Sequence, residues 1–434
     1  MKIGFVSLGC SKNLVDTEMM IGMFKENKDT IVNNPNEAEV IVINTCGFIE
    51  SAKEEAINTI LEMAEYKKKK CKFLIVTGCL VQRYKEELIK AIPEVDLFIS
   101  IDEYPKMWEE IEKTIRKEEE KNHFELNYQT REISTGETTA YLKIAEGCSN
   151  RCTYCAIPYI RGPFISRPKE EILEEARNLA QRGFKEIIVI AQDTTKYGID
   201  LYGKPKLAEL LQDLANIKEF KWIRFLYSYP ETITEELIKV VKENSNICKY
   251  FDIPIQHISD RVLKRMNRKS NGESIKNIIK KIREEIPEVI IRTTLIVGFP
   301  GETKDEFEEL YEFVKQTEFD RLGAFSYSKE EGTPAARLPD QIHPMTKKSR
   351  YHKIMSLQKE IDQKVQEKYI GKSYEVLIDG KTFDGKYYIG RTYMQMLEID
   401  GIVYVKNTKE CHTGDFIQVE IVDAKEYDLI AEIK

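Results

Sequence analysis

The stretch "EGCSNRCTYCAIP", Glu146–Pro158, contains three cysteines, Cys148, Cys152 and Cys155, and no fourth thiol or imidazole. A closed zinc site takes four ligands, usually as two CxxC-like pairs. Three thiolates in one loop can instead bind three irons of a 4Fe–4S cluster and leave the fourth iron an open coordination position. An open position is typical of a catalytic metal. The alternatives are a zinc loop with a distant fourth ligand and cysteines that only pack.

The cysteine stretch follows the first strand of six candidate β/α units. Helical patterns such as Lys169–Gln181, Glu235–Glu243 and Asp305–Lys315 separate the candidate strands. This alternation predicts a parallel sheet closed into a partial (β/α)6 barrel, with its working face at the C-terminal strand ends. The predicted strands are Tyr141–Ala145, Glu186–Gln192, Lys221–Tyr227, Tyr250–Ile255, Val289–Gly298 and Arg321–Tyr327.

An earlier run of strands and helices predicts a separate N-terminal α/β domain with its own parallel sheet. Cys10, Cys46 and Cys79 each come just after one of its first three strands. Because the carboxyl ends of parallel strands share one edge, we expect these three cysteines to converge there. Cys71 precedes its strand and should not join them. The alternative is that each is a small core residue. The predicted strands are Lys2–Leu8, Glu39–Asn44, Lys72–Thr77 and Leu97–Ser100.

From about Gly371 the pattern changes to short alternating strands with turn glycines, "YEVLIDG", "YYIGRTY", "IVYVKN" and "DFIQVEIVDA". This predicts a small C-terminal β-barrel of OB-like size. The charged segment before the central barrel lacks apolar periodicity and is predicted to be a linker. The predicted boundaries are residues 1–115 for the N-terminal domain, 116–138 for the linker, 139–368 for the central barrel and 369–434 for the C-terminal module.

The composition is that of a globular protein: 434 residues, 42% hydrophobic and 32% charged, with a net charge of −7. No secretory signal and no apolar run of about 20 residues is present, so we expect no membrane segment and a cytoplasmic location. There, nine cysteines point to metal or redox chemistry rather than disulfides. The net charge provides no general reason to bind nucleic acid.

The CxxxCxxC loop after a first barrel strand resembles the signature of radical S-adenosylmethionine (SAM) enzymes. The resemblance implies that Cys148, Cys152 and Cys155 bind a 4Fe–4S cluster whose open iron takes SAM, and that one electron cleaves SAM to a 5′-deoxyadenosyl radical. "IVGFPGET", Ile296–Thr303, is similar to the SAM-binding strand end of that family. Thr303 and Glu306 also form a capping-box pattern.

Four residues are candidate SAM contacts on this resemblance: Tyr154, Gln192, Gly298 and Gly301. Tyr154 immediately precedes the last cysteine of the loop. Gln192 and Asp193 end the second barrel strand, and two roles stay open for them, contact with SAM or ordering of the loop that follows. The two glycines permit close backbone approach. No catalytic acid or base is identified.

The whole chain resembles the methylthiotransferase family, whose C-terminal β-module is called TRAM. The resemblance implies a second, auxiliary 4Fe–4S cluster on Cys10, Cys46 and Cys79, involved in supplying sulfur. It also implies two uses of SAM, as methyl donor and as radical source. An electron donor such as flavodoxin or ferredoxin follows from this chemistry, and a monomer is the default expectation.

Longer motifs favour the branch that modifies the β-carbon of an aspartate in small-subunit ribosomal protein twelve. These motifs are "SLGCSKNLVDTE", "NTCGFIESAKEEAI", "GCLVQRY", "AQDTTKYGIDLYG" and "YFDIPIQHISDRVLKRM"; Ser11 stands where that branch often has proline. Residues 371–434 hold 8 basic and 12 acidic residues, net −4, which suits a basic protein partner better than tRNA, or only keeps the surface soluble. The alternatives are a tRNA adenosine methylthiotransferase and a non-catalytic iron–sulfur or zinc protein that binds RNA or ribosomes.

Overall fold

A computed structural model describes residues 1–116 and 124–434 of the chain. The chain divides into two compact units. The first comprises Met1–Ser134, Glu146–Ser149 and Cys155–Ile165, and the second comprises Thr135–Ala145, Asn150–Tyr154 and Ser166–Lys434. Part of the predicted linker, residues 117–123, lies outside the described residues, and the predicted domain boundaries stay predictions.

The first unit contains a five-stranded, all-parallel sheet in the order β2-β1-β3-β4-β5. All four predicted strands are present; β2 is an addition, too short for its pattern to predict. The strands are β1 (Lys2–Ser7), β2 (Thr30–Ile31), β3 (Val40–Thr45), β4 (Phe73–Gly78) and β5 (Leu97–Ile99). The helices are α1 (Ser11–Glu26), α2 (Glu50–Ala64), α3 (Cys79–Ala91) and α4 (Met107–Ile111), with a π-helix at Glu112–Arg116 and 3-10 turns at Glu65–Lys68 and Ile101–Lys106.

Helices cover both faces of this sheet. Val40 and Val42 of the central strand β3 face α1 and α4, where Phe24 and Trp108 meet edge to face at 5.7 Å. Ile41 faces the other side, toward α2 and α3. A strand buried on both faces reads as a continuous apolar run, which is why "VIVIN" alternates so little. The result is a three-layer α/β/α unit whose carboxyl strand ends lie at one edge.

The second unit holds the six predicted barrel strands in two parallel halves, β10-β9-β6 and β11-β12-β13. A parallel bridge between residues 223 and 247 lies between the halves. The six strands are β6 (Thr139–Lys143), β9 (Glu186–Ile190), β10 (Trp222–Phe225), β11 (Tyr250–Asp252), β12 (Ile290–Val297) and β13 (Arg321–Ser326). Two short strands, β7 (Ala145–Glu146) and β8 (Ile165–Ser166), flank the cysteine loop, which contains α5 (Ile157–Ile160). The partial (β/α)6 barrel is therefore confirmed.

The barrel helices follow the predicted pattern closely, and α6 and α9 have the predicted bounds. They are α6 (Lys169–Gln181), α7 (Ile199–Tyr202), α8 (Leu207–Ala215), α9 (Glu235–Glu243), α10 (Asp260–Arg265), α11 (Gly272–Glu285), α12 (Lys304–Thr317) and α13 (Pro344–Glu367), with 3-10 turns at Thr194–Lys196, Pro230–Thr232 and Pro334–Arg337. The predicted capping box is present, because the Thr303 hydroxyl accepts from the Glu306 N–H and the Glu306 carboxylate accepts from the Thr303 N–H.

The C-terminal module is a closed five-stranded barrel in the order β14-β15-β16-β18-β17. Four of its strands match the predicted ones, and the last, "DLIAEI", went unpredicted. Residues Glu426 and Tyr427 alone separate it from the preceding strand, so the two read as one run. The strands are β14 (Ser373–Lys381), β15 (Tyr387–Arg391), β16 (Val403–Lys406), β17 (Phe416–Lys425) and β18 (Asp428–Ile433). Within residues 1–116 and 124–434, no helix combines the length and the apolar character needed to cross a bilayer.

Candidate functional site

Cys10, Cys46 and Cys79 lie together at the carboxyl edge of the first sheet. Cys10 and Cys46 follow β1 and β3, and Cys79 is the first residue of α3, directly after β4. Gly9, whose φ is 92°, lies against Cys46: a β-carbon on it would sit 2.7 Å from the Cys46 β-carbon and 3.0 Å from its sulfur. The three thiols also interact electrostatically with one another. Their role as cluster ligands remains a prediction.

One buried side chain, Asn13 on α1, connects the three cysteine-bearing turns. Its Nδ2 donates to the carbonyls of Leu8 and Thr45, at 3.0 Å each, which directly precede the first two turns. Its Oδ1 accepts from the Cys79 thiol at 3.4 Å. A single amide thus links residues whose positions in the sequence span more than 60 residues, which holds the edge in place before any ligand arrives.

Exposure of the three thiols rises from Cys79, which is buried, through half-buried Cys46 to exposed Cys10. Burial raises the pKa of the Cys46 thiol, and it raises the pKa of the Cys79 thiol to about 11. Metals bind the thiolate, so a metal that binds here must displace these protons. Of the three residues, Cys10 is the most accessible to solvent.

The second cysteine set lies in the loop after β6. Cys148 and Cys152 are buried and Cys155 is half-buried. Cys148 and Cys155 belong to the first unit, in which the Cys148 N–H donates to the Gly162 carbonyl at 3.1 Å. Cys152 belongs to the second unit, and its sulfur is 3.8 Å from the Tyr229 hydroxyl. Each buried cysteine of the loop is thus held by a contact within its own unit.

The end of β9 orders this loop. The buried Asp193 accepts from the Asn150 amide at 2.8 Å and from the Thr195 hydroxyl at 2.7 Å. Burial raises the pKa of Asp193, while those two donors oppose the shift. Further along, the Thr153 N–H and hydroxyl donate to the carbonyls at the end of α10 at 3.0 Å and 2.8 Å. Of the two roles open for Asp193, ordering of the loop is the one its contacts support.

The four predicted SAM contacts lie at or near the carboxyl ends of barrel strands. Tyr154 is half-buried and packs against a cluster that includes Phe299 and Tyr327. Gln192 is half-buried at the end of β9. Gly298 (φ 72°) and Gly301 (φ 77°) form the turn after β12.

Both glycines have left-handed backbone and close protein neighbours. A β-carbon on Gly298 would lie 3.1 Å from that of Lys347, and one on Gly301 would lie 2.8 Å from the Arg265 guanidinium. Left-handed backbone favours glycine at both positions, and the close approach of SAM to these glycines stays a prediction.

Glu302 fixes the same turn. Its carboxylate accepts from the N–H groups of Gly298 and Phe299 at 2.5 Å and 3.0 Å. Its other oxygen is 2.8 Å from Arg350. Burial raises the pKa of Glu302 to about 7, while Arg350 and the two N–H donors favour the ionised form. The turn after β12 is therefore built on one buried carboxylate.

A buried cation, Arg268, lies beside Cys152 and Tyr154 in the second unit. Its guanidinium stacks 4.1 Å from the Tyr229 ring and donates through Nη2 to the Pro254 carbonyl at 2.8 Å. Its Nε and Nη1 have no hydrogen-bond partner among the described residues. Burial acts to lower the pKa of Arg268, but Tyr154, Tyr229 and Cys152 raise it above its ordinary value. Arg268 can therefore bind an anionic group here.

Other buried polar atoms without hydrogen-bond partners lie after the carboxyl ends of β10 and β11. Ser228 Oγ, Gln256 Oε1 and His257 Nε2 are buried and have no hydrogen-bond partner within the described part of the chain. Tyr227 and Gln256, just after β10 and β11, have left-handed backbone, with φ of 62° and 69°. Unpaired polar groups and non-glycine residues in this conformation are typical of ligand sites. SAM, with its carboxylate, amine and ribose hydroxyls, fits such a lining.

His257 is neutral in this environment. It is fully buried, its Nδ1 accepts from the Ser259 N–H at 3.0 Å, and burial lowers its pKa to about 3. It does not change charge near neutral pH, so it is a hydrogen-bonding group rather than a proton carrier.

Three or more His, Cys, Asp or Glu side chains close enough to enclose a single metal ion do not occur in residues 1–116 and 124–434. A multi-iron cluster has different requirements, because each thiolate binds a separate iron and the sulfurs stay further apart. The donor sets, thiols only and three in each set, fit 4Fe–4S clusters and not a four-ligand zinc site.

Sequence reasoning missed Asn13, Arg161, Arg268 and Glu302. Asn13 and Arg161 act through partners far away in the sequence, so no local pattern marks them. Glu302 lies inside the quoted glycine motif, where its position in the turn offered a signal. Arg268 lies in a basic run that reads as an exposed helix end.

Comparison with known proteins yields three family matches. The chain matches the Radical SAM superfamily over residues 142–314, Uncharacterized protein family UPF0004 over residues 2–100, and the TRAM domain over residues 370–433. Two solved structures share the fold at low sequence identity. The radical SAM methyltransferase TsrM of Kitasatospora setae has a TM-score of 0.57 at 9% identity, covering 77% of this chain and 76% of its own. The cobalamin-dependent SAM radical enzyme OxsB has a TM-score of 0.52 at 15% identity, covering 84% and 56%.

Curated relatives are similar along the whole chain. Ribosomal protein uS12 methylthiotransferase RimO of Alkaliphilus oremlandii is 64% identical over 434 residues, covering 100% of this chain and 99% of its own. The proteins of that name from Caldicellulosiruptor saccharolyticus and Acetivibrio thermocellus are 54% and 51% identical, with 100% of this chain covered in both cases.

Proposed function

The chain belongs to the RimO family of ribosomal protein uS12 methylthiotransferases, and we propose that it methylthiolates the β-carbon of an aspartate in ribosomal protein uS12. The observation that carries the choice of substrate is the similarity to RimO proteins over the whole chain. The two three-cysteine sets, one at the carboxyl edge of the α/β sheet and one after the first barrel strand, support the two-cluster chemistry. Each set leaves one iron of a 4Fe–4S cluster open. A tRNA methylthiotransferase and a non-catalytic iron–sulfur protein are the rejected alternatives.

Within this proposal, Cys148, Cys152 and Cys155 bind the radical SAM cluster. When bound, that cluster and SAM supply the one-electron chemistry that opens an unactivated C–H bond. The protein residues position the cofactor: Asp193 orders the cysteine loop and Glu302 fixes the turn that holds Gly298 and Gly301. The proposed SAM contacts remain Tyr154, Gln192, Gly298 and Gly301. Cys10, Cys46 and Cys79 bind the auxiliary cluster, and a second SAM provides the methyl group.

The surface charge of the C-terminal module supports a basic protein partner less than its net charge of −4 suggests. Among its exposed residues, acidic and basic residues are equal in number, six each. The acidic excess lies on half-buried carboxylates, and two of these, Asp379 and Asp400, lie against Arg391 and Arg292. Whole-chain similarity, not charge, therefore supports uS12 over tRNA. We also propose a small reductant such as flavodoxin or ferredoxin, and a monomer, from the family resemblance.

The test offers both substrates at once. Protein reconstituted with iron and sulfide is incubated without oxygen with SAM, dithionite, purified uS12 and bulk tRNA, and mass spectrometry follows peptides and nucleosides. We expect a methylthio mass increase on one aspartate-containing uS12 peptide and unchanged tRNA. A uS12 variant with that aspartate changed to asparagine is the matched control and should stay unmodified. Methylthio-adenosine with an untouched peptide would overturn the proposal.

A second prediction concerns Arg268, which we propose binds the carboxylate of SAM through its two unpartnered N–H groups. Charge-assisted hydrogen bonds contribute about 1.5–3 kcal/mol, so Arg268→Met should weaken SAM binding about 10- to 100-fold. The measurement is equilibrium dialysis of SAM with the reconstituted protein. Lys269→Met, which removes the exposed neighbouring charge, is the control and should leave binding unchanged. Equal binding in both variants would exclude Arg268 from the SAM site.

A further inference from the structure

Arg161 is a buried cation that contacts one of the auxiliary cysteines. It lies six residues after Cys155 in the chain, and only 2% of its side chain is exposed. Its Nη2 donates to the Cys79 sulfur at 3.5 Å and to the Asn13 side-chain oxygen. Its Nη1 lies 2.6 Å from Asp16, also buried, and 3.3 Å from Glu146. Both ends of the guanidinium are therefore held, one by carboxylates and one by the cysteine edge.

These contacts give the thiolate of Cys79 a cationic hydrogen-bond donor in a buried place. The Nη2 of Arg161 donates to the Cys79 sulfur while its Nη1 pairs with the Asp16 carboxylate. These two contacts fix the orientation of the guanidinium. A charge-assisted hydrogen bond is stronger in such surroundings than in water. Hydrogen bonds to cysteine sulfur and nearby charge are among the main determinants of the potential of an iron–sulfur cluster.

We infer that Arg161, held by Asp16, is a positioning residue that raises the reduction potential of the auxiliary cluster. The inference rests on the proposed function, which assigns that cluster to Cys10, Cys46 and Cys79. Reduction adds one electron to the cluster and places more negative charge on its thiolates. A cationic donor on the Cys79 sulfur stabilises this reduced state, whereas the Asp16 carboxylate opposes it from further away.

The two residues therefore make opposite predictions. Arg161→Met removes the cation and should lower the midpoint potential. Asp16→Asn removes the anion while keeping the cation and should raise it. A tenfold shift in the reduction equilibrium corresponds to about 59 mV for one electron, and we expect at least that for Arg161→Met. Arg161→Lys keeps the positive charge but loses the two-pronged guanidinium. The midpoint potential of the cluster in this variant should therefore fall between those of the parent and Arg161→Met. A loosened cluster site would not produce shifts of opposite sign.

The chain offers a matched control on the same helix. Glu18, two residues after Asp16, forms a second buried ion pair with Arg131 at 2.7 Å, and neither residue touches a cysteine in the contacts described. Arg131→Met disrupts the same unit to a similar extent. Its auxiliary potential should equal that of the parent, because the effect claimed for Arg161 is local.

The experiment uses the full chain with Cys148, Cys152 and Cys155 changed to alanine, so that only the auxiliary cluster assembles. Redox titration followed by electron paramagnetic resonance measures the potential in each background. No iron or sulfide in this parent would overturn the auxiliary cluster itself. The role of Arg161 alone would be overturned if variants that contain the cluster kept the potential of the parent. It would also be overturned if Arg161→Met and Asp16→Asn shifted the potential in the same direction. If Arg161→Met fails to load, Arg161→Lys and Asp16→Asn must still move the potential in opposite directions.

Discussion

Replacing Cys148, Cys152 or Cys155 with alanine is expected to abolish formation of 5′-deoxyadenosine from SAM, down to the background seen without enzyme. Each thiolate binds its own iron, so two remaining ligands leave the cluster without its third attachment. The measurement is 5′-deoxyadenosine by liquid chromatography, with dithionite as the reductant. Because Cys148 and Cys152 are buried, iron content is measured alongside to show that the cluster is lost.

The matched set is Cys10, Cys46 and Cys79. Alanine at any of these should spare formation of 5′-deoxyadenosine and abolish the methylthio product on uS12, because radical generation and sulfur supply are assigned to different clusters. Transfer of sulfur by these variants would contradict the auxiliary assignment. Loss of 5′-deoxyadenosine in both sets would contradict the division of labour between the clusters. Cys248, which is buried and outside both sets, serves as a control through Cys248→Ala.

The largest expected loss of stability comes from Glu186, at the start of β9. Its fully buried carboxylate lies 2.7 Å from Arg224 of β10 and 2.9 Å from Arg391 of β15. Arg224 also donates to the carbonyls of Thr392 and Tyr393 at 3.1 Å and 2.5 Å. Glu186 thus neutralises two buried cations that join barrel strands to the C-terminal module. Glu186→Gln should lower the free energy of unfolding by about 3–5 kcal/mol, because it removes the carboxylate that neutralises Arg224 and leaves Arg391 with Asp379 alone.

Urea unfolding monitored by circular dichroism measures this loss. The control is Glu209→Gln, because Glu209 pairs with Lys169 at 2.9 Å and also with Lys206, but is 45% exposed. Exposed pairs contribute about 0–1 kcal/mol, so this variant should unfold close to the parent. Equal losses in the two variants would contradict the importance of burial. Burial raises the pKa of Glu186, but Arg391 and Arg224 outweigh it and lower the pKa below its ordinary value. The parent should therefore lose this stabilisation as the pH falls through the carboxyl range, whereas Glu186→Gln should not.

Periodicity in the sequence predicts most of the fold, since the β/α alternation marks all six barrel strands and four of the five strands of the first sheet. The missing elements have a physical reason. The two-residue β2 is too short to show alternation, and β18 follows β17 after a two-residue turn. A strand could be predicted from the sequence when it was long enough to show a pattern and was separated from its neighbour by a recognisable turn.

The candidate site could be predicted only where its residues share a local motif or a strand end. The convergence of Cys10, Cys46 and Cys79 follows from the geometry of parallel strands alone. Arg161 and Arg268 could not be found in this way, because their importance comes from burial beside groups distant in the sequence. The glycines after β12 show the converse, since their pattern was visible in the sequence, whereas the side chains packed beside them come from residues distant in the sequence.

Asn13 has a consequence for repair. Its amide holds the turns of all three auxiliary cysteines through bonds to Leu8, Thr45 and Cys79 that need no iron. If the auxiliary cluster were destroyed by oxygen or consumed as a sulfur source, the three cysteine-bearing turns would keep their positions. New iron and sulfide could be inserted into a folded enzyme, without synthesis of a new chain. An enzyme molecule that has lost its auxiliary cluster would then be reactivated by reassembly of the cluster.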